Sequence, residues 1–234
     1  CLALGVGPRD TVWTSPITFV ASANCARFCG ASVDFVDISP QTWCMSAENL
    51  KKKLEHHQAL GILLPKVVIP VHLSGQSCNM QAISELGQQY GFRIIEDASH
   101  AIGGTFQNSP VGSCLYSDIT VFSFHPVKII TTGEGGMALT NDKKLADHMA
   151  RLRTHGITRD SKQLTREPDG PWYYEQLELG FNFRITDIQA ALGLSQLGRL
   201  KEFVVRRNIL AQRYNEALAD MAVQLQKVPN DVYS

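Results

Sequence analysis

Short β-branched or aliphatic runs alternate with longer amphipathic segments along the first hundred residues, and this rhythm restricts the fold more than any other feature of the sequence. Val12–Thr14, Val33–Val36, Val67–Val71 and Phe92–Glu96 read as strands. Between them, helices are expected over Val20–Phe28, stopped by Gly30, over Ala47–His56, introduced by Ser46, and over Met80–Tyr90, stopped by Gly91. Parallel strands need crossover connections of this length, and helical crossovers cover both faces of the sheet. The expectation is therefore an α/β chain of three layers around a mostly parallel central sheet.

Further along, the rhythm changes. Ile119–Phe124 and Gly136–Thr140 are strand candidates on either side of the segment 125–135, and Asn141 is placed to cap a helix reaching about Thr154. Residues 156–183 are polar and aromatic without a period, which predicts a long functional loop. Thr186-Asp187-Ile188-Gln189 has the capping-box pattern and opens a helical region to about Met221, bent or broken near Gly198. The 234 residues suit one large domain over 1–200, with 201–234 as a connecting helix and the start of a smaller domain. Because Cys1–Gly5 reads as the end of a helix, the chain reads as part of a longer protein.

Lysine plus arginine and aspartate plus glutamate number 22 each, so no concentrated charge favours nucleic acid or an anionic membrane. No run of about 18 apolar residues predicts a transmembrane helix. None of the six cysteines forms a C-x-x-C pair, so a zinc or thioredoxin-like site is not expected and reduced thiols in the cytoplasm are.

Two stretches carry chemistry. In Ile94-Ile95-Glu96-Asp97-Ala98-Ser99-His100, the acid Asp97 stands at the carboxyl end of a buried-type strand, the edge where open α/β sheets bind ligands; a plain turn-capping role is the alternative. In Ser123-Phe124-His125-Pro126-Val127-Lys128, followed by Thr131-Thr132-Gly133-Glu134-Gly135-Gly136, one lysine sits in a Ser/Thr/Gly segment able to offer hydroxyls and N–H groups to a phosphate. Alone, such a lysine is usually just solvated. A Schiff-base lysine needs a neutral amine, which desolvation beside other charges supplies, and its cofactor ring needs a carboxylate at the pyridine nitrogen. Asp97, 31 residues before Lys128, could meet it from a neighbouring strand end.

These two stretches resemble the signatures of the DegT/DnrJ/EryC1 family of sugar aminotransferases, enzymes that use pyridoxal 5′-phosphate (PLP) on the large domain of the fold-type I transferases. The resemblance runs from about Arg9 to Tyr214. It implies that Lys128 forms the Schiff base with the cofactor and moves the substrate proton, and that Asp97 pairs with the ring nitrogen. His100 would lie by the ring's phenolic oxygen, Ser123 would bind the phosphate, and Phe19 would stack on the ring; a structural histidine at 100 and a plain core residue at 19 are the alternatives. Asn182 would reach the phosphate in a partner subunit, since sites in the family are shared across a homodimer, with a turn role as its alternative. His125, Arg184 and the run Trp172-Tyr173-Tyr174 are candidates for substrate contact, with a solvated or interface role as the alternative. His56, His57 and His148 show no ligand spacing and are expected at the surface.

Residues 155–160, 169–176 and 179–193 are further similar to the subgroup that aminates C4 of a UDP-linked 4-keto-6-deoxy-N-acetylhexosamine in pseudaminic acid biosynthesis, with L-glutamate as donor. The alternatives are another 3-keto or 4-keto nucleotide-sugar aminotransferase and a non-catalytic binding protein that keeps only the fold. The family's sugar dehydratases carry histidine at the Schiff-base position, and Lys128 weighs against that activity. The family's phosphate-binding turn upstream and its small C-terminal domain are missing from this sequence.

Overall fold

The computed structural model describes residues 1–234. Six strands form the central sheet: β1 (Thr11–Thr14), β2 (Ser32–Phe35), β3 (Val67–Ile69), β4 (Arg93–Asp97), β7 (Ile119–Ser123) and β8 (Gly136–Leu139). Their order is β2-β1-β3-β4-β7-β8. Every neighbouring pair is parallel except β7 with β8, which closes one edge antiparallel.

The period-two alternation of the strands divides the core. Trp13, Val68 and Ile94 pack on one face with Leu50 and Leu54 of α2 (Ala47–Ala59) and with Met80, Ile83 and Leu86 of α3 (Met80–Tyr90). Their sequence neighbours Val12, Val67, Ile69 and Ile95 pack on the other face with Ala26 of α1 (Ala21–Phe28) and Leu145 of α4 (Lys143–Leu152). Helix, sheet and helix thus make the three layers expected from the sequence. Leu50 and Leu54 are fully buried, each worth about 1.5–3 kcal/mol.

Two tiny strands, β5 (Thr105–Phe106) and β6 (Ser109–Pro110), make a side ribbon. The long segment 156–183 is mostly irregular, as expected, but carries its own ribbon of β9 (Ile157–Thr158) and β10 (Glu175–Gln176). Glu178 fastens it to α4, accepting from His148 Nε2 at 2.8 Å and Arg151 Nε at 2.6 Å. Gly156 and Gly180 make that close approach possible: a Cβ on Gly180 would stand 2.2 Å from the Gly156 nitrogen.

The capping box forms at Thr186 and opens α5 (Asp187–Leu197). α6 (Leu200–Ala217) follows after a break at Gly198. Beyond it the chain returns to the large layer structure. β11 (Val232–Tyr233) adds to β5, and Gln76 Nε2 donates to the Lys227 carbonyl at 3.0 Å. No helix is long and apolar enough to cross a membrane, and all six cysteines are free thiols.

Local expectations need correction in two places. The cap of α4 is Asp142, whose carboxylate accepts from the Lys144 and Leu145 N–H groups; Asn141 instead donates to the Ser113 and Cys114 carbonyls. An ionised acceptor facing two free N–H groups wins over an amide one residue earlier. Of the histidines assigned to the surface, His57 packs edge-on against Trp13 at 4.8 Å and His148 is drawn into the Glu178 contact.

Candidate active site

Asp97 ends β4 and pairs in register with Val121 of β7, so Ser123 lies two residues further along the adjacent strand. Both therefore stand at the carboxyl edge of the parallel sheet, where strand ends and helix starts leave room for a ligand. Alternation turns Glu96 toward the α2/α3 face and Asp97 toward the α1 face.

Three hydrogen bonds fix the Asp97 carboxylate. Oδ2 accepts from the Ser22 hydroxyl at 2.6 Å. Oδ1 accepts from the Ser99 hydroxyl at 2.6 Å and the Ser99 N–H at 3.2 Å. Ser22 in turn lies 2.9 Å from the hydroxyl of Thr18. The next residue, Phe19, is 72% exposed, so it is not a core residue, and its ring stands free beside the Thr18–Ser22 pair.

Lys128 sits in the connection between β7 and β8. That connection is tightly wound: Phe124 N–H donates to the Gly135 carbonyl at 2.8 Å, Thr132 N–H to the Phe124 carbonyl at 3.0 Å, and Thr131 Oγ1 to the same carbonyl at 2.9 Å. Buried Ile130 anchors it from beneath with Phe122 and Phe124. Gly135 is required there, since a Cβ would stand 2.3 Å from Thr132 Oγ1. From the other side, Gln196 of α5 accepts from the Thr131 N–H at 2.8 Å. Half-buried Lys128 takes part in none of the chain's ion pairs. Glu134, the acid of its own loop, stands 3.8 Å from His125 instead.

His100 joins the two halves. Burial lowers its pKa from the ordinary histidine value, the Lys128 ammonium lowers it further, and the Asp97 carboxylate opposes both. Its imidazole thus lies in the field of both groups and is biased to the neutral form. Strand register sets Asp97 and Ser123 at one sheet edge, the charges of Lys128 and Asp97 both act on His100, and Ser22 and Thr18 tie the segment carrying Phe19 to Asp97. Arg184 is exposed; its neighbour Ile185 reaches the loop, with Cδ1 3.4 Å from where a Gly135 Cβ would be. Asn182 lies outside the group: its backbone bridges to Thr154 and its side chain is exposed. His125 is also exposed, its Nδ1 accepting from the Val127 N–H at 3.3 Å. Trp172 and Tyr174 are exposed, whereas Tyr173 receives Arg166 Nε at 2.9 Å and donates to Glu175 at 3.0 Å within its own loop.

Ser22, Thr18 and Gln196 were not singled out by the sequence. Thr18 and Ser22 are four residues apart at a helix start, a faint sign that their side chains meet. Nothing local links Ser22 to an acid 75 residues away.

Known proteins are similar to this chain in sequence and in fold. The chain spans about half the length of the curated relatives it matches. One, GDP-perosamine synthase of Caulobacter vibrioides, is 38% identical over 226 residues, covering 97% of this chain and 56% of the relative. The PLP form of a sugar aminotransferase described as putative, Spr1654 from Streptococcus pneumoniae, superposes with a TM-score of 0.82 at 28% identity, over 100% of this chain and 60% of that one. Helicobacter pylori PseC, an aminotransferase involved in pseudaminic acid biosynthesis, superposes with a TM-score of 0.78 at 30% identity, over 92% of this chain and 53% of that one. A family model matches residues 1–233, so the chain belongs to the DegT/DnrJ/EryC1/StrS aminotransferase family.

Proposed function

We propose that this chain is the cofactor-binding large domain, over residues 1–200, of a PLP-dependent nucleotide-sugar aminotransferase, with residues 201–234 as the connecting helix and start of a smaller domain, the stretch after that helix lying back against the large domain at Gln76 and β5. What supports this reading is a carboxylate fixed by three donors at the sheet's carboxyl edge, with the charges of Asp97 and Lys128 both acting on half-buried His100.

The residues present fit the cofactor. Lys128 has no ion pair to break before it reacts, and the Asp97 carboxylate is already held by three donors. Ser123 Oγ accepts from the His125 N–H at 3.3 Å, which leaves its own proton free to donate to a phosphate. When bound, PLP supplies the electron sink that stabilises the carbanion formed on proton loss.

The chain supplies the rest. Lys128, within the wound connection between β7 and β8, is the base that removes the substrate proton and the acid that returns it. Asp97 holds the positive charge on the ring nitrogen, and neutral His100 hydrogen-bonds at the ring's edge. Phe19 stacks on the ring face, excluding water from it. In this reading exposed His125 and Arg184 are the candidates for contact with a substrate carboxylate or diphosphate. L-Glutamate is the donor in this reading, and a UDP-linked 4-keto-6-deoxy-N-acetylhexosamine, aminated at C4, is the acceptor. The likeness to PseC supports that acceptor, and the likeness to a GDP-perosamine synthase supports a different keto-sugar nucleotide as the second reading. The protein acts as a cytoplasmic homodimer in which Asn182 reaches the partner's site.

Borohydride reduction after incubation with PLP tests the first claim: a pyridoxyl group should appear on the peptide containing Lys128 and vanish in Lys128→Ala. Its absence from the wild-type chain would leave only the fold-only binding protein. Assay of the full-length protein with glutamate against UDP- and GDP-linked 3-keto and 4-keto sugars decides the acceptor.

A further inference from the structure

We infer that Ser22 is a positioning residue for the cofactor, the middle of a Thr18–Ser22–Asp97 relay that decides which oxygen of Asp97 meets the ring nitrogen. The inference rests on the proposed function above. An ionised carboxylate offers about four acceptor positions, two on each oxygen. On Oδ1 both are taken, by the hydroxyl and the N–H of Ser99. On Oδ2 one is taken, by Ser22 at 2.6 Å. A single position is left, and it lies on the oxygen that Ser22 holds. A protonated pyridine nitrogen therefore has one place to donate, Oδ2, and shares that oxygen with Ser22.

The direction of the relay follows from proton count. Ser22 has one proton and gives it to the carboxylate, so in its 2.9 Å contact with Thr18 it must accept, and Thr18 donates. Thr18 thus fixes the Ser22 rotor. Ser22 is buried in the first turn of α1, beside the partly positive helix start that favours an anion. Because Phe19 follows Thr18 directly, one loop supplies both the ring-stacking side chain and the head of the relay. Any shift of that loop would reach Asp97 through two hydrogen bonds.

The relay is tested in the full-length protein with Ser22→Ala and Ser22→Thr, reading the Kd for PLP and the pH midpoint of the visible band of the loaded protein. A hydroxyl bonded to a charged group, once removed, should weaken PLP binding about tenfold. A less firmly held pyridinium withdraws fewer electrons, so the midpoint should move to higher pH in Ser22→Ala. Ser22→Thr, which keeps the hydroxyl, should restore both. Wild-type values for Ser22→Ala overturn the inference, and so do equal changes in both variants, which mark simple packing. A wild-type protein that takes up no PLP fails one step earlier, overturning the proposed function and the inference with it.

Discussion

At the scale of single residues, charge placement dominates. Asp97→Asn keeps the shape and most of the hydrogen-bond geometry but removes the charge proposed to face the ring nitrogen. Turnover in the full-length protein should fall by about 10²–10³, the usual weight of one preorganised electrostatic partner, while the Lys128 adduct still forms under borohydride. His100 gives a second expectation, readable in the unloaded chain. Its pKa is lowered in the fold, chiefly by burial and then by Lys128, so the unfolded chain binds the proton more readily. Its contribution to stability is complete above the ordinary histidine value of about 6.5 and is lost as pH falls below that value toward the depressed one. Melting curves of wild type and His100→Gln should therefore run parallel above about pH 7 and converge or cross as the pH drops toward 5. A constant offset over the range would show that His100 does not titrate as its surroundings require. The acid and the lysine were legible in the sequence because each follows a strand in a recognisable setting. The hydroxyls that orient the acid were not, since Ser22 reaches Asp97 only when β1 and β3 bring α1 over the end of β4.

At the scale of elements, the six strands of the central sheet were legible because apolar runs are a local signal, and their ends moved by at most two residues, whereas the five two-residue strands of the side ribbons carry no such signal. What holds neighbouring elements together was not. Buried His72, just after β3, donates from Nε2 to Glu96 of β4 at 2.8 Å while its Nδ1 accepts from the Cys78 N–H at 3.3 Å. Ser117 and Thr120 complete the coordination of Glu96. Burial alone would push the Glu96 carboxyl up; His72 and the two hydroxyls outweigh it and bring it below the usual range. This pair ties the turn after β3 to the strand that ends in Asp97. His72→Ala leaves the carboxylate short of a donor and opens a cavity, at a cost of roughly 3 kcal/mol. Thermal unfolding should show it as a fall of about 10 °C in Tm. The 156–183 segment is held more lightly. Its Glu178 pairs with His148 and Arg151 while still partly solvated, so Glu178→Ala should cost only about 1 kcal/mol. Limited proteolysis should nonetheless cut the variant faster within 156–183 than elsewhere; equal rates along the chain would mean that the ribbon, not Glu178, retains the segment.

For the whole molecule, the sheet and its two helical layers account for the buried core but leave one apolar region uncovered. α5 buries none of its residues, although Ile188 and Leu194 lie on it; Ile188 is 85% exposed, and Phe183 just before it is 70% exposed. Surfaces of this kind are seldom left open to water, and this one adjoins the lysine loop through Thr131 and Gln196. A homodimer that buries α5 would also bring the exposed Asn182 toward a second site. That geometry can be read without a structure of the dimer. In the proposed homodimer, Lys128→Ala and Asn182→Ala would each impair every site. In a mixed dimer, a partner-borne Asn182 concentrates both lesions in one site and leaves the other intact. Random reassortment makes half the dimers mixed, with one good site of two, so a refolded equal mixture should recover roughly a quarter of wild-type turnover. If Asn182 serves its own subunit, the mixed dimer holds one lesion in each site and mixing recovers nothing. Ile188→Asp supplies the complementary measurement: a charge buried at the shared surface should turn the sedimenting species from dimer to monomer, and turnover should disappear with the dimer while the Lys128 loop keeps its fold.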